Sequence, residues 1–244
     1  MLRPSSSFFG SWLLALLSAG LLAAAAHAAG ADDLLAPKPL PQVDVVLPSK
    51  PSQMLRAPLQ TWQPVLSQAA AALDERVKKA GSLDKAALID LHIQRTLLAQ
   101  TRRDWPGALE ALKQARAVQD NEASRLTSGL LNEALVRRAM KGGNDAWLRK
   151  QVRDQVLAMP WAEVESTIRS FRAQLADVKP ETVETYVVNR MDGSAGVARN
   201  QVSLGFLFQL LGARFQLLEV MPHRDALVAG LDDAIAQRSK PAAP

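Results

Sequence analysis

Apolar residues recur every three or four positions through most of the chain beyond residue 60, which is the spacing of helices that bury one face. The first run consists of Val65, Ala69, Leu73 and Val77. Later runs predict helices over about 84–102, 104–115, 121–141, 144–156, 160–175 and 222–235. The pattern therefore predicts an all-α domain of about seven to nine helices packed as hairpins in an irregular bundle.

Residues that start or end helices support these boundaries. Asp104 and Asn144 are suitable amino-terminal caps, and Pro160 suits the start of the helix that follows it. The glycines at 142–143 end the helix before them. Residues 180–191 are rich in valine and threonine, so a helix and a strand both stay open there.

The chain has no cysteine among its 244 residues, which excludes disulfides, thiolate metal sites and cysteine nucleophiles. Its 48% hydrophobic and 22% charged content is that of a globular protein. The formal net charge is +5, and the excess is local. Residues 59–141 carry thirteen basic and nine acidic side chains, whereas residues 142–244 carry twelve of each.

The first 28 residues have the pattern of a secretory signal. Arg3 precedes an apolar run over 8–26, and small residues flank His27 at Ala26 and Ala28. We expect cleavage near Ala28 and a periplasmic or secreted protein of a Gram-negative bacterium. The alternative is an uncleaved membrane anchor, since the run approaches the length that spans a bilayer.

Residues 29–58 predict a flexible, proline-rich leader before a helical domain over 59–240. Six of the fourteen prolines fall between 37 and 58, and proline favours extended or irregular backbone. The apolar residues at 43–47 are the exception, because they could pair as a strand or lie in a groove.

Residues 202–220 are the most apolar stretch after the signal. Arg214 and Glu219 lie within the stretch and do not flank it, and placing an arginine inside a bilayer costs free energy. We therefore expect a buried central helix. A membrane-associated helix is the alternative.

Motifs for catalysis are short and isolated. Ser82 and Lys85 have the Ser-x-x-Lys spacing of serine acyl-enzymes, without the companion motifs of those sites. His92 and His223 lack metal-ligand neighbours at helical spacing, and the carboxylates at 232–233 are best explained as a solvated face. The sequence therefore predicts no catalytic, cofactor-binding or metal-binding residue. A hydrolase whose carboxylates meet only in the fold stays an alternative.

Eight cations near helix ends are candidates for contact with an anionic partner. They are Arg102, Arg103, Arg137, Arg138, Lys141, Arg149, Lys150 and Arg153. Because short connections make successive helices antiparallel, the ends of the second and fourth helices should share one pole of the bundle. Cations also stabilise helix carboxyl ends, which explains them structurally. On an exported protein such a pole would meet an acidic protein, polymer or lipid of the envelope, and no nucleic acid.

The segment at 102–115, RRDWPGALEALKQA, resembles the turn and second helix of a tetratricopeptide repeat. Ala108 and Ala115 match the small residues that let neighbouring helices approach, Trp105 matches the aromatic residue of the turn, and Leu112 matches the large apolar position. The similarity covers about 89–120 in a single copy. It implies a helical hairpin in a scaffold that binds a peptide or protein partner in a concave groove.

These features favour an exported, non-catalytic helical scaffold, without a cofactor, that binds an envelope protein or an anionic envelope polymer or lipid. An envelope hydrolase and a membrane-associated protein using residues 202–220 are the two alternatives.

Overall fold

The computed structural model describes residues 42–43, 51–119, 122–187 and 202–239. This part of the chain is all-α, with nine α-helices and one pair of two-residue strands. The helices are α1 (Leu59–Lys78), α2 (Lys85–Thr101), α3 (Trp105–Val118), α4 (Glu122–Lys141), α5 (Asp145–Leu157), α6 (Trp161–Asp177), α7 (Pro180–Val187), α8 (Leu204–Phe215) and α9 (Arg224–Arg238). The predicted signal, its cleavage site and most of the leader lie outside the described residues.

Capping residues start the helices where the sequence places them. The Asp104 carboxylate accepts a hydrogen bond from the Gly107 amide at 3.1 Å, and the Asn144 side chain accepts one from the Trp147 amide at 2.9 Å. Pro160 precedes α6 directly. Gly142 has a φ of 62°, the left-handed conformation that ends α4.

Helix α2 lies at the centre of the first half of the fold. It packs along α3 on one side and against α1 and α8 on the others. Its buried residues are therefore nearly consecutive instead of forming one stripe: Leu91, Ile93, Gln94, Thr96, Leu97, Leu98 and Gln100. Because α2 contacts three other helices, it fixes their relative positions.

Helix α8 is the buried helix expected from the apolar stretch at 202–220. Leu207, Phe208 and Leu211 are almost completely buried, and the chain continues from α8 through a π-helical turn at Gln216–Val220. Leu97 of α2 faces α8 at Gly212, where it would lie 3.9 Å from an added β-carbon. Within the described ranges, no helix is both long enough and apolar enough to cross a bilayer.

Helices α5, α6 and α9 form the second half of the core. Helix α9 packs against both α5 and α6, and Gly230 lets it approach α5 closely. The carboxylates predicted to form a solvated face instead join helices: Asp232 pairs with Arg172 of α6 at 2.7 Å, and Asp233 pairs with Arg149 of α5 at 2.6 Å. The α9 register brings each aspartate opposite an arginine that the sequence spacing could not associate with it.

Residues 180–187, where helix and strand were both open, form helix α7. The Lys179 carbonyl accepts hydrogen bonds from the Thr182 and Val183 amides, which closes the first turn. Val183 is buried, so tertiary packing outweighs the strand preference of valine. The rest of the stretch, from 188 to 191, lies outside the described residues.

The last residues of the predicted leader, 51–58, contact the helical domain. Residues Pro51–Met54 form a 3₁₀ turn, and the side chains of Met54 and Leu55 are buried in the core. Gln42 and Val43 pair in antiparallel fashion with Ser203 and Val202. The physical reason is that the turn supplies both apolar side chains and backbone carbonyls that the helices can bind.

We predict that Gly230→Ala destabilises the fold by about 1–3 kcal/mol, although alanine favours a helix. An added β-carbon would lie 2.7 Å from the Arg149 carbonyl oxygen and 2.8 Å from the Val152 β-carbon. The free energy of unfolding in urea checks this. Gly81→Ala is the control, since no atom lies within 4 Å of its added β-carbon, and equal effects of the two changes would refute the close approach.

Candidate functional site

Two of the three cations near the carboxyl end of α4 form ion pairs with carboxylates of the same chain. Arg137 pairs with Glu133 at 2.8 Å, and Arg138 lies 3.9 Å from Asp145 at the start of α5. Lys141 is exposed and has no ion-pair partner in the described part of the chain. Of the three predicted contacts in α4, only Lys141 therefore has an uncommitted charge.

The three cations of α5 are also paired. Arg149 forms two hydrogen bonds with Asp233, at 2.6 and 2.7 Å. Lys150 and Arg153 share Asp154, at 2.9 and 2.7 Å. Hydrogen bonds from Lys150 and Arg153 lower the pKa of Asp154, and the hydrogen bond from Arg149 lowers the pKa of Asp233. These cations face carboxylates of the same chain, so they offer an outside anion little unbalanced charge.

Arg102 and Arg103, at the end of α2, have different surroundings. Arg102 donates a hydrogen bond to the Leu66 carbonyl of α1 at 2.9 Å. Arg103 lies close enough to Arg214 of α8 to lower the pKa of that residue. The contacts of the eight predicted cations thus fall in two places, one around α4 and α5 and the other beside α1 and α8. Whether either place binds a partner stays a prediction.

Arg214 is held half-buried by an aromatic ring and a carbonyl. Its guanidinium group lies 5.5 Å from the centre of the Trp62 ring and donates to the Leu55 carbonyl at 2.5 Å. The Trp62 indole is fully buried and donates to the Met54 carbonyl at 2.9 Å. Burial lowers the pKa of Arg214, Glu219 opposes that shift, and the charge of Arg103 adds to it.

Arg103 has an unusual backbone conformation for an arginine. Its φ is 60°, and the Asp104 amide donates to the Ala99 carbonyl at 2.9 Å, as in the Schellman ending of a helix. Glycine is the usual residue at this position, because a β-carbon in the left-handed conformation costs about 1–2 kcal/mol. The helix dipole favours a cation near this end, but Arg102 already supplies one without that cost.

We call Arg102, Arg103 and Arg214 the arginine cluster. Its charge balance differs from that of the rest of the molecule: among described arginine side chains, the others contact a carboxylate, an amide or a carbonyl, whereas that of Arg103 contacts none. Asp104, the adjacent carboxylate, is engaged in capping α3. Among the described arginines it is therefore Arg103 whose side chain has no partner, whereas the charge of Glu219 acts on Arg214 and raises its pKa against the larger effect of burial.

A buried polar network joins α1 and α2. Arg76 lies 3.2 Å from Asp90 and donates to Gln94 at 2.5 Å, while Gln94 donates to Asp90 at 2.9 Å. Burial raises the pKa of Asp90 against the opposing charge of Arg76. One buried carboxylate paired with an arginine holds two helices in register, and no second carboxylate joins this network within the described ranges.

The isolated catalytic motifs have structural roles. The Ser82 hydroxyl donates to the Lys79 carbonyl at 2.8 Å, and Asp84 caps α2 by accepting from the Ala87 amide. His223 contacts Asp145 at 2.8 Å. Across the residues that the structure describes, no three histidine or carboxylate side chains converge in a way that could hold a metal ion.

Sequence reasoning missed Arg214 and Trp62. In the sequence, Arg214 is a charge within an apolar stretch. That position is the signal that could identify it, since a charge inside a buried helix must have a partner. Trp62 gives no such signal, because a tryptophan near the start of a helix is ordinarily a core residue.

Comparison with known proteins identifies no relative of this chain. No family model matches it, and neither a curated protein nor a solved structure matches it. What the chain does is therefore inferred from its own residues and contacts.

We predict that Asp233→Asn lowers the urea midpoint of unfolding at pH 6 and that the difference from wild type shrinks as the pH falls below 3.8. The native carboxyl has a lowered pKa because of Arg149, so its contribution is present above the unfolded-state pKa and is lost as pH falls through the native one. Asp74→Asn is the control, because Asp74 has no ion pair in the described ranges. A difference that is independent of pH would contradict the ion pair.

Proposed function

We propose that this chain is an exported, non-catalytic helical scaffold that holds an acidic protein partner in the bacterial cell envelope. The basic start, apolar run and small-x-small site of residues 1–28 support export. The all-α packing of hairpins supports a scaffold, an architecture that offers side chains at helix ends to a partner.

The resemblance of α2 and α3 to a tetratricopeptide hairpin supports a binding role by analogy. In the structure, α2 is covered by α1 and α8. A partner seated against α2 would have to displace one of those helices. We therefore place the partner at the helix ends and not in a groove along the hairpin.

The observation that carries the proposal is the unpaired charge of Arg103 at the end of α2. Other described arginines mostly contact carboxylates of the same chain, and such pairs leave little field outside the protein. Arg103 is exposed and has no side-chain partner among the described residues, and Arg214 beside it contacts a carbonyl and an aromatic ring. An acidic partner supplies the missing negative charge.

Export predicts that the mature protein begins after Ala28. Osmotic shock of cells that express the full chain should release it, and sequencing of its amino terminus should start at Ala29. Replacing Ala26 and Ala28 with tyrosine should leave the longer form in the membrane fraction. A full-length protein that stays in the cytoplasm in both cases would refute the proposal.

Binding predicts that crosslinking in intact cells, followed by affinity purification, returns an envelope protein in stoichiometric amounts. Arg103→Glu should reduce its recovery about tenfold, because a charge-assisted contact becomes repulsive. Lys113→Glu makes the same change in charge on α3, where the side chain is exposed, and should leave recovery unchanged. Equal losses in both variants would show general attraction by net charge, and no captured partner in the wild type would contradict a scaffold.

A further inference from the structure

We propose that residues 52–57, which we call the strap, close over the helical domain only after α8 has crossed the membrane, so that the start of the exported chain stays open during transport. This inference rests on the proposed function, because it concerns how an exported chain reaches its fold. It follows from contacts that join the strap to helices near the other end of the sequence.

The strap is fastened by its backbone as well as by its side chains. Met54 is 4% exposed and Leu55 is 3% exposed, and both lie in the same core as α1 and α8. The Met54 carbonyl accepts a hydrogen bond from the Trp62 indole at 2.9 Å, and the Leu55 carbonyl accepts one from Arg214 at 2.5 Å. Because a buried donor without an acceptor is unfavourable, α1 and α8 each need the strap in place.

The partners of the strap lie far along the chain. Leu55 and Arg214 are 159 positions apart, and Arg56 is 128 positions from Glu184 of α7, with which it pairs. Contacts between such distant residues form late, because loop closure costs entropy before any native contact compensates it. The strap cannot make these contacts while residues 184 and 214 are still inside a membrane channel.

Helix α8 also completes the core around the first helices. It packs against α1 and α2, and Leu97 of α2, which is 1% exposed, faces it at Gly212. The contacts of α2 with α3 and of α3 with α4 join neighbours in the sequence, so they can form as soon as these helices emerge. Closure of the strap over α1 and α8 therefore marks the arrival of α8.

Export makes the order of these events important. The signal pattern of residues 1–28 contains no twin arginine, so we expect the chain to cross the membrane unfolded. The strap then leaves the channel long before α8 does. A domain whose closing contacts join these two parts of the chain stays open while it is transported and closes when α8 emerges.

A single introduced thiol can report the strap, because the chain contains no cysteine. Met54→Cys places the thiol at a buried position, and Gln53→Cys, the matched control, places it at an exposed neighbour. Each full-length variant is exported with a rapidly folding domain fused to its carboxyl end, which halts translocation on the cytoplasmic side. A short linker holds α8 inside the channel, and a long linker lets it emerge. Spheroplasts are then treated with a membrane-impermeant maleimide.

We expect the thiol at position 54 to be labelled with the short linker and protected about tenfold or more with the long one. The thiol at position 53 should be labelled with both. In the purified full chain that carries Met54→Cys, Arg214→Gln should raise the labelling rate about tenfold, because the Leu55 carbonyl loses a charged donor. Arg169→Gln is the control for this change, since Arg169 pairs with Glu165 within α6.

Three outcomes would overturn the inference while export stands. Protection at position 54 with the short linker would show that the strap closes without α8. Labelling at position 54 with both linkers would show that it does not close in the exported chain. Equal labelling rates in Arg214→Gln and Arg169→Gln would show that α8 does not fasten the strap. If position 53 is labelled with neither linker, the chain is not exported, and the proposed function fails together with the inference.

Discussion

The central position of α2, between α1, α3 and α8, is the constraint on which the rest of the structure depends. Of the polar side chains that α2 buries, Gln94 and Thr96 have partners, whereas that of Gln100 has none among the described residues. The Thr96 hydroxyl donates to the His92 carbonyl at 2.9 Å, and Gln94 binds both Arg76 and Asp90. Apolar packing against α8 allows several registers of the helices, whereas the polar network fixes the register of α1 against α2. That register also sets where α2 ends, and hence where Arg102 and Arg103 lie.

Arginine–carboxylate pairs join several of the helices. Arg76 with Asp90, Arg116 with Glu133, Arg149 with Asp233 and Arg172 with Asp232 each join two helices. Exposed pairs of this kind contribute little to stability individually, yet they orient helices whose apolar faces could pack in several ways. Arg103 is the exception among the described arginines, because its side chain has no such partner.

The sequence predicts the secondary structure well and the charged site poorly. Asp104, Asn144 and Gly142 mark helix ends through contacts within a few residues of themselves, so local chemistry is sufficient. The burial of residues 202–220 also follows from composition. By contrast, the pairing of Asp233 with Arg149 spans 84 positions, and the approach of Trp62 to Arg214 depends on the packing of α1 against α8. Such contacts leave no periodic pattern in the sequence.

The arginine cluster was half-predicted for the same reason. Arg102 and Arg103 stand out as cations at a helix end, but Arg214 belongs to a distant apolar helix and comes near Arg103 only in the fold. The sequence likewise does not predict the left-handed backbone of Arg103, because glycine and not arginine is the usual residue at that position.

The central claim is that an acidic partner contacts the end of α2 in the cell envelope. The most direct measurement is photocrosslinking in intact cells from a photoreactive residue that replaces Ser67, which is exposed beside the Leu66 carbonyl bound by Arg102. The account predicts a single envelope adduct from position 67, absent from the same probe at Lys113 on α3. Adducts from position 113 alone, or none from position 67, would contradict it.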